Sequence, residues 1–356
     1  MKIKKLQIQN YKSLVDLEII GPNPFSVFAG PNASGKSNIF EAIEFANFIY
    51  KVNNPTDVEN LFGGYETFLN CNASQKFIRF RYFFNSFESS FIGSYEGFHH
   101  PDAKIKVFNA DIVSKGFFNY DKYKFSDYSS SAKDYFSQSN IIYSNEIEQF
   151  QEKFSRLYIG NNNIQKVRTS TDKLLNSDGE NLEKVLGRLL KNKIVKEDFL
   201  DTLTILIPGF DKIEIYSDII SGNDTLLLFE RYSKRPYKKG VISDGNYNIL
   251  CLLTAVYQSD EPQFLCIEEP ENGLNPYVIK SMVEFFRKQC EEKGHYIWLN
   301  THSQTLVSAL RPEELILVDK INGETKIKQF PKDYNLHGLQ LDEAWLSNAL
   351  GGGVPW

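Results

Sequence analysis

With 356 residues, 42% of them hydrophobic and 24% charged, the chain has the make-up of a globular protein of two or three lobes with ample core. A formal net charge of −5 excludes a strongly basic nucleic-acid binder, though a local patch could still touch phosphate. Cys71, Cys251, Cys266 and Cys290 lack C-x-x-C spacing and suggest neither zinc nor a disulfide framework; no signal peptide and no apolar run of membrane length is present, so a cytoplasmic protein without a membrane partner is expected.

Alternation of Ile3, Leu6, Ile8 and then Leu14, Leu17, Ile19 predicts two antiparallel strands within residues 2–20, joined at Asn10–Ser13. A Pro/Gly/Asn turn at Gly21–Pro24 leads into a short buried strand, Phe25–Phe28. Gly30-Pro31-Asn32-Ala33-Ser34-Gly35-Lys36-Ser37 then fits G-x-x-x-x-G-K-[ST], the loop that cradles nucleotide phosphates. Glycines let backbone N–H groups turn onto the phosphates, and the helix predicted from Ser37 to Tyr50 adds its N-terminal dipole. Lys36 would reach the β- and γ-phosphates and the Ser37 hydroxyl would sit on Mg²⁺, so ATP and Mg²⁺ are the expected cofactors. The bland alternative is a chance glycine-rich turn; a strand before it and a helix after it decide against that.

Leu61–Glu66 is turn-rich, and residues 76–84 predict a strand with a partly polar face. From about 85 to 145 the composition shifts to Ser, Tyr, Phe, Asn and Lys, which predicts short strands with loops. Basic residues among aromatics, as in Asn119–Phe125, could stack on bases, but a half-exposed sheet with solvated lysines is the simpler reading. His99 and His100 have no partner ligands nearby for a metal. Residues 146–158 and 180–206 carry helical period, the second with a stripe of Leu182, Val185, Leu186, Leu189 and Leu190 ending at Pro208-Gly209. No heptads persist, so no long coiled coil is expected. Residues 211–217 and 224–231 predict a hairpin turning at Ser221–Asp224, followed by a basic loop (Lys234, Arg235, Lys238, Lys239) that is either solvated or a phosphate contact.

Ser243-Asp244-Gly245-Asn246 precedes an apolar helix, Ile249–Tyr257, and offers a hydroxyl, backbone N–H groups and a dipole end to an anion, although such a trio also makes ordinary N-caps. An apolar strand, Phe264–Ile267, ends in Glu268-Glu269-Pro270-Glu271; one carboxylate there could hold Mg²⁺, directly or through water, while its neighbour polarises an attacking water. A further apolar strand, Tyr296–Leu299, ends in Asn300-Thr301-His302-Ser303, whose imidazole could hydrogen-bond a γ-phosphate or that water.

Ile8-Gln9-Asn10-Tyr11-Lys12-Ser13-Leu14, then the P-loop with Asn38 after its serine, then Ser-Asp-Gly, Glu-Glu-Pro-Glu, Gly-Leu-Asn-Pro and Asn-Thr-His-Ser in that order, resembles the ABC-type ATPase heads of the RecF/SMC/OLD group, and the OLD-like AAA-21 bacterial ATPases in particular. The resemblance implies an α/β P-loop NTPase of ABC type with an antiparallel β lobe and a helical insertion, and a nucleotide site of Gly30, Asn32, Ser34, Gly35, Lys36, Ser37 and Asn38. Ser243, Asp244 and Gly245 would act in trans on ATP held by a second subunit, Ser37 and Glu268 would serve the metal, Glu269 would be the catalytic base and His302 the switch. Asn248 stands where the family often has Arg, Asn275 where it often has His, and no Q-loop glutamine is placed.

The implied segments are 1–145 (P-loop and β lobe), 146–210 (helical lobe), 211–332 (signature, Walker B and switch) and a tail, 333–356. Fifty-odd residues after His302 are too few for the Toprim nuclease domain of full OLD proteins. Trp345, Leu346 and Trp356 of the tail could dock a separate effector or pack back on the body. The expectation is an ATP-hydrolysing switch, a homodimer or higher homo-oligomer, controlling a separately encoded nuclease or toxin in anti-phage defence. A RecF/SMC-like DNA-binding ATPase of repair or chromosome maintenance is the alternative.

Overall fold

Alternating apolar residues at the N-terminus become β1 (Ile3–Tyr11) and β2 (Leu14–Ile20), an antiparallel pair running from Lys5 opposite Ile20 to Tyr11 opposite Leu14. The computed structural model describes residues 3–51, 61–63, 65–72, 77–84, 87–95, 105–114, 152–159, 173–217 and 224–353. The chain divides into two units, Met1–Phe154 with Arg311–Trp356, and Ser155–Leu310.

In the first unit β1 also pairs antiparallel with β4 (Phe77–Phe84), which pairs with β5 (Phe87–Tyr95), which pairs with β6 (Ile105–Ser114). This five-stranded antiparallel sheet is ordered β2-β1-β4-β5-β6, the lobe expected from the sequence. A cluster of rings fills its inner side: Tyr11, Phe45, Phe68 and Phe80 lie with centroids 4.9–6.4 Å apart, distances at which tilted and edge-on pairs add to burial. The wholly buried β3 (Phe25–Ala29) runs parallel to β13 (Leu315–Ile321), which pairs antiparallel with β14 (Glu324–Gln329). Helix α1 (Lys36–Lys51) follows the loop after β3, and Phe40 meets Phe28 edge-on at 5.3 Å.

The last helix of this unit, α6 (Leu341–Leu346), carries Trp345, which is only 2% exposed. Its indole N–H donates to the Gly353 carbonyl, Gly353 N–H donates to Asp319 (2.7 Å) and the Lys328 ammonium donates to the Leu350 carbonyl (2.6 Å). Trp345 is therefore a packing residue of the tail and not a docking side chain. Leu346 is partly exposed, and Trp356 lies outside the described residues.

The second unit opens with β7 (Phe154–Leu157), which begins one residue earlier and flanks β11 (Phe264–Glu268). Helical period over 146–158 predicts a helix, but Phe154–Leu157 is a strand. The spacing of Phe154, Leu157 and Tyr158 mimics a helical stripe, whereas every residue of this short strand is buried; residues 146–151 lie outside the described ones. The helical stretch 180–206 is two helices, α2 (Leu182–Leu189), which ends at its C-cap Leu190, and α3 (Lys193–Leu206), which Asn192 caps by accepting from the N–H groups of Ile194 and Val195. Both pack on α4 (Asp244–Tyr257). The expected hairpin is β8 (Phe210–Ser217) with β9 (Asp224–Glu230), joined by a short β10 (Tyr237–Lys238); its turn at 221–223 lies outside the described residues, as do His99, His100 and 119–125.

Strand β11 runs parallel to β12 (Tyr296–Thr301), in register from Phe264 opposite Tyr296 to Glu268 opposite Asn300. Their near-continuous apolar residues are what a parallel sheet covered on both faces requires. Helix α5 (Pro276–Lys293) connects them, capped by Asn275 at its start and closed by Gly294 in the left-handed region. The longest described helix is this one, at 18 residues, and no described helix is long and apolar enough to cross a membrane.

His295 enters β12 fully buried, with Nδ1 accepting the Gln263 N–H at 3.3 Å. Burial, aided by the Lys293 charge, lowers its pKa to about 4 from the ordinary 6.5. Between those values the unfolded chain binds the extra proton, so stability is complete above about pH 6.5 and drains away as pH falls toward 4. In His295→Gln, the loss of unfolding free energy between about pH 7 and pH 4.5 should be smaller than in the wild type by ~2 kcal/mol. Urea titrations at the two pH values check this, and equal losses would contradict it.

Candidate functional site

The loop between β3 and α1 is shaped by close approaches that only glycine permits. A Cβ on Gly30 would lie 2.1 Å from the Val318 carbonyl oxygen of β13, and one on Gly35 would lie 2.0 Å from Thr325 Oγ1 of β14. Gly35 also has φ +102°, a region L side chains rarely adopt. Ala33 takes φ +62° without that freedom, a strained turn of the kind found in anion-binding loops. Lys36 is buried and its ammonium donates to the carbonyls of Gly30 (2.8 Å) and Pro31 (2.9 Å), so the cation is held across the mouth of the loop. Ser37 and Asn32 are exposed, whereas Ser34 is buried and its hydroxyl has no hydrogen-bond partner. A cradle that side chains would fill, a fixed ammonium and an unsatisfied buried hydroxyl suit a bound phosphate chain.

The loop is braced from the side. Asn38 Nδ2 donates to Ser13 Oγ (2.8 Å), Ser13 shares a hydrogen bond with Thr325 Oγ1 (2.6 Å), and Thr325 donates to the Ser34 carbonyl (2.9 Å). Asn38, expected among the nucleotide contacts, thus spends its amide on the β1–β2 turn. Ser13 and Thr325 are site residues that sequence reading passes over, because they stand 312 positions apart.

In the second unit the carboxyl ends of β11 and β12 bring the acidic residues and the histidine together. Asn300, opposite Glu268, donates from Nδ2 to Glu268 Oε2 (2.5 Å), and the Glu269 N–H donates to both the carbonyl (3.0 Å) and Oδ1 (3.1 Å) of Asn300. Glu269 has φ +45°, unusual for a non-glycine residue and held there by those bonds. Its carboxylate meets His302 Nδ1 at 3.2 Å and accepts from Asn272 Nδ2 at 3.3 Å; the two side chains are 39% and 51% exposed. Glu271, by contrast, is turned inward onto the Thr301 hydroxyl, and burial raises its pKa.

Ser243 is the N-cap of the 14-residue α4, accepting from the Asn246 N–H, and both it and Asp244 are exposed. Gly245 cannot carry a side chain, since its Cβ would lie 2.3 Å from the Gly273 carbonyl oxygen. Buried Asn248 donates to the carbonyls of Pro270 (3.0 Å) and Asn272 (2.9 Å), tying α4 to the turn after Glu269.

Over residues 25–308 the sequence matches the family AAA_21, described as "AAA domain, putative AbiEii toxin, Type IV TA system". The chain belongs to the AAA_21 family. Among curated proteins, the DNA replication and repair protein RecF of Bacteroides fragilis is 34% identical over 61 residues and that of Bacteroides thetaiotaomicron 36% over 61. Each match covers 17% of this chain and 16% of the relative, so the chain matches only a sixth of their length. The fold is that of the SMC head. A solved SMC head bound to the C-winged helix domain of ScpA superposes with TM-score 0.58 at 13% identity, covering 94% of this chain and 98% of that one. An SMC head bound to the C-terminal domain of ScpA derived from Pyrococcus furiosus gives 0.57 at 12%, covering 98% of each. The head from Thermotoga maritima gives 0.50 at 14%, covering 93% and 100%. The chain is therefore an α/β P-loop protein of ABC-ATPase type.

Nucleotide and Mg²⁺ are what an AAA_21 member is expected to hold, and the residues of the P-loop fit: glycine cradle, Lys36 and the exposed Ser37 hydroxyl. Glu268 does not fit direct coordination of the metal. Arg156 donates to its Oε1 from both Nε and Nη2, and Asn300 occupies Oε2. Asn248, in place of the family's usual Arg, has taken over a structural task, and Asn275 in Gly-Leu-Asn-Pro serves as the cap of α5, accepting from the Val278 N–H.

In Asn248→Leu the buried Pro270 carbonyl and the Asn272 carbonyl, on an exposed residue, lose their donor, which should cost ~1–2 kcal/mol of stability. A urea midpoint that falls with an unchanged m-value is the expected reading, and a shift worth less than ~0.5 kcal/mol would contradict the tie.

Proposed function

We propose that this AAA_21 protein binds ATP·Mg²⁺ at the P-loop of its first unit and hydrolyses it with Glu269 as general base. The observation that carries the reading is the pairing of an exposed, backbone-strained Glu269 with His302, in a chain whose P-loop glycines are sterically obligatory. Glu269 would accept the proton of the attacking water as its oxygen adds to the γ-phosphorus and ADP leaves. Lys36 and the loop N–H groups would neutralise charge on the phosphates, and Ser37 would hold the Mg²⁺ that accompanies ATP. His302 would report the γ-phosphate to Glu269 through their contact.

Exposed Ser243 and Asp244, at the N-terminus of α4, are available to the γ-phosphate of ATP on a second copy. Two heads would then close head-to-tail on two nucleotides and reopen after hydrolysis. We place this switch in anti-phage defence, controlling a separately encoded nuclease or toxin. The toxin–antitoxin wording of the family description supports that setting by analogy. A second reading, a RecF-like ATPase that clamps DNA, is favoured by the RecF match and by the exposed loop of Lys234, Arg235 and Lys238 beside Tyr232, 95% exposed.

Glu269→Gln should bind ATP while hydrolysing it ~10²–10⁴-fold more slowly. Its solution mass should rise with ATP·Mg²⁺, and Lys36→Ala in the same background should abolish the rise. A mass that stays monomeric would remove the trans role of Ser243. ATPase stimulation by duplex DNA with steep salt dependence would select the second reading, and co-purification of an unstimulated ATPase with a neighbouring gene product the first.

A further inference from the structure

Nothing in the sequence marks Arg156, yet it makes a deeply buried ion pair with Glu268. Its side chain is 3% exposed and that of Glu268 9%. Two guanidinium donors converge on Glu268 Oε1, one of them at 2.9 Å, while the guanidinium lies 4.2 Å from the ring centroid of Tyr158. With Asn300 on Oε2, at least three of the roughly four acceptor positions of the carboxylate are in use. A divalent cation bound directly to Glu268 would have to compete with those donors beside a fixed, always-protonated guanidinium. Breaking the pair would strand a charge away from water.

We infer that Arg156 is the permanent counter-cation of Glu268, and that the pair is a positioning device for Glu269 and not half of a metal site. The chain of contacts is continuous. Arg156 fixes Glu268; Glu268 fixes the Asn300 amide; and that amide, through Oδ1, together with the Asn300 carbonyl, holds the Glu269 N–H in its left-handed conformation. Of the two adjacent carboxylates, one is thereby locked into the protein and the other is left to the solvent side with His302. Arg156 acts through other groups and is a positioning residue. The consequence for Glu269 rests on the reading of that residue as the base.

The test is a double-mutant cycle with Arg156→Met, Glu268→Gln and the two combined, read by urea midpoint and by the Mg²⁺ concentration at half-saturation for binding a fluorescent ATP analogue. Each single variant should lower the midpoint, and the double should recover most of that loss, since neither charge is then left unpaired. The Mg²⁺ half-saturation of Glu268→Gln should stay within about twofold of wild type, because the metal never used that carboxylate. In the double variant kcat should fall at least tenfold with the KM for ATP within about twofold, the signature of a misplaced base. Additive losses of stability would overturn the pair, and a tenfold or larger rise in the Mg²⁺ requirement of Glu268→Gln would restore Glu268 as a ligand. A wild type that binds no ATP analogue at any Mg²⁺ concentration would instead sink the ATPase reading, and the stability cycle would still decide on the pair.

Discussion

The first unit depends on how closely the loop after β3 can approach the backbone of β13 and the Thr325 side chain of β14. Gly30 and Gly35 bring the phosphate loop against Val318 and Thr325 at distances that exclude even a methyl group. This contact sets the depth of the loop, because β13 and β14 are themselves fixed to β3 by parallel and antiparallel ladders. The same solution recurs in the second unit, where Gly245 at the start of α4 lies against Gly273. In both places a turn is set by a missing side chain.

Electrostatics organises the second unit in a different way. Two acidic residues that are neighbours in sequence are sent to opposite fates by one asparagine. Asn300 uses its N–H on Glu268 and its oxygen on Glu269, so the side-chain amide distinguishes the two positions by donor and acceptor. Glu271 follows a third course, buried against Thr301 with its ionised form disfavoured. Three carboxyls within four residues thus occupy three distinct environments, which is how a short acidic motif avoids becoming a cluster of mutually repelling charges.

Much of this architecture is legible in the sequence. Period-two alternation placed β1 and β2, continuous apolar runs placed β3, β11 and β12, and the spacing of Gly30, Gly35, Lys36 and Ser37 marked the phosphate loop. What escaped were long-range pairings and residues with two plausible periods. Ser13 and Thr325 carry no local sign of meeting. Arg156 sits in a stretch whose apolar spacing imitates a helix, so its strand, and hence its place beside Glu268, was hidden. Asn248 reads as a departure from a family pattern when it is a buried tie, and of the two roles open to Trp345 in the sequence the structure shows packing within the tail.

That closure has a practical side. The tail is tied to β13 and β14 by Asp319 and Lys328 and closed on itself by the Trp345 indole, and those two strands supply the walls against which Gly30 and Gly35 rest. A truncation or fusion joint placed between Leu341 and Gly353 would therefore loosen the outer support of the phosphate loop while leaving every residue of its motif intact. Engineered versions of this protein should carry their tags beyond Gly353, or they will report on a phosphate loop whose scaffold has been altered from the far end of the chain.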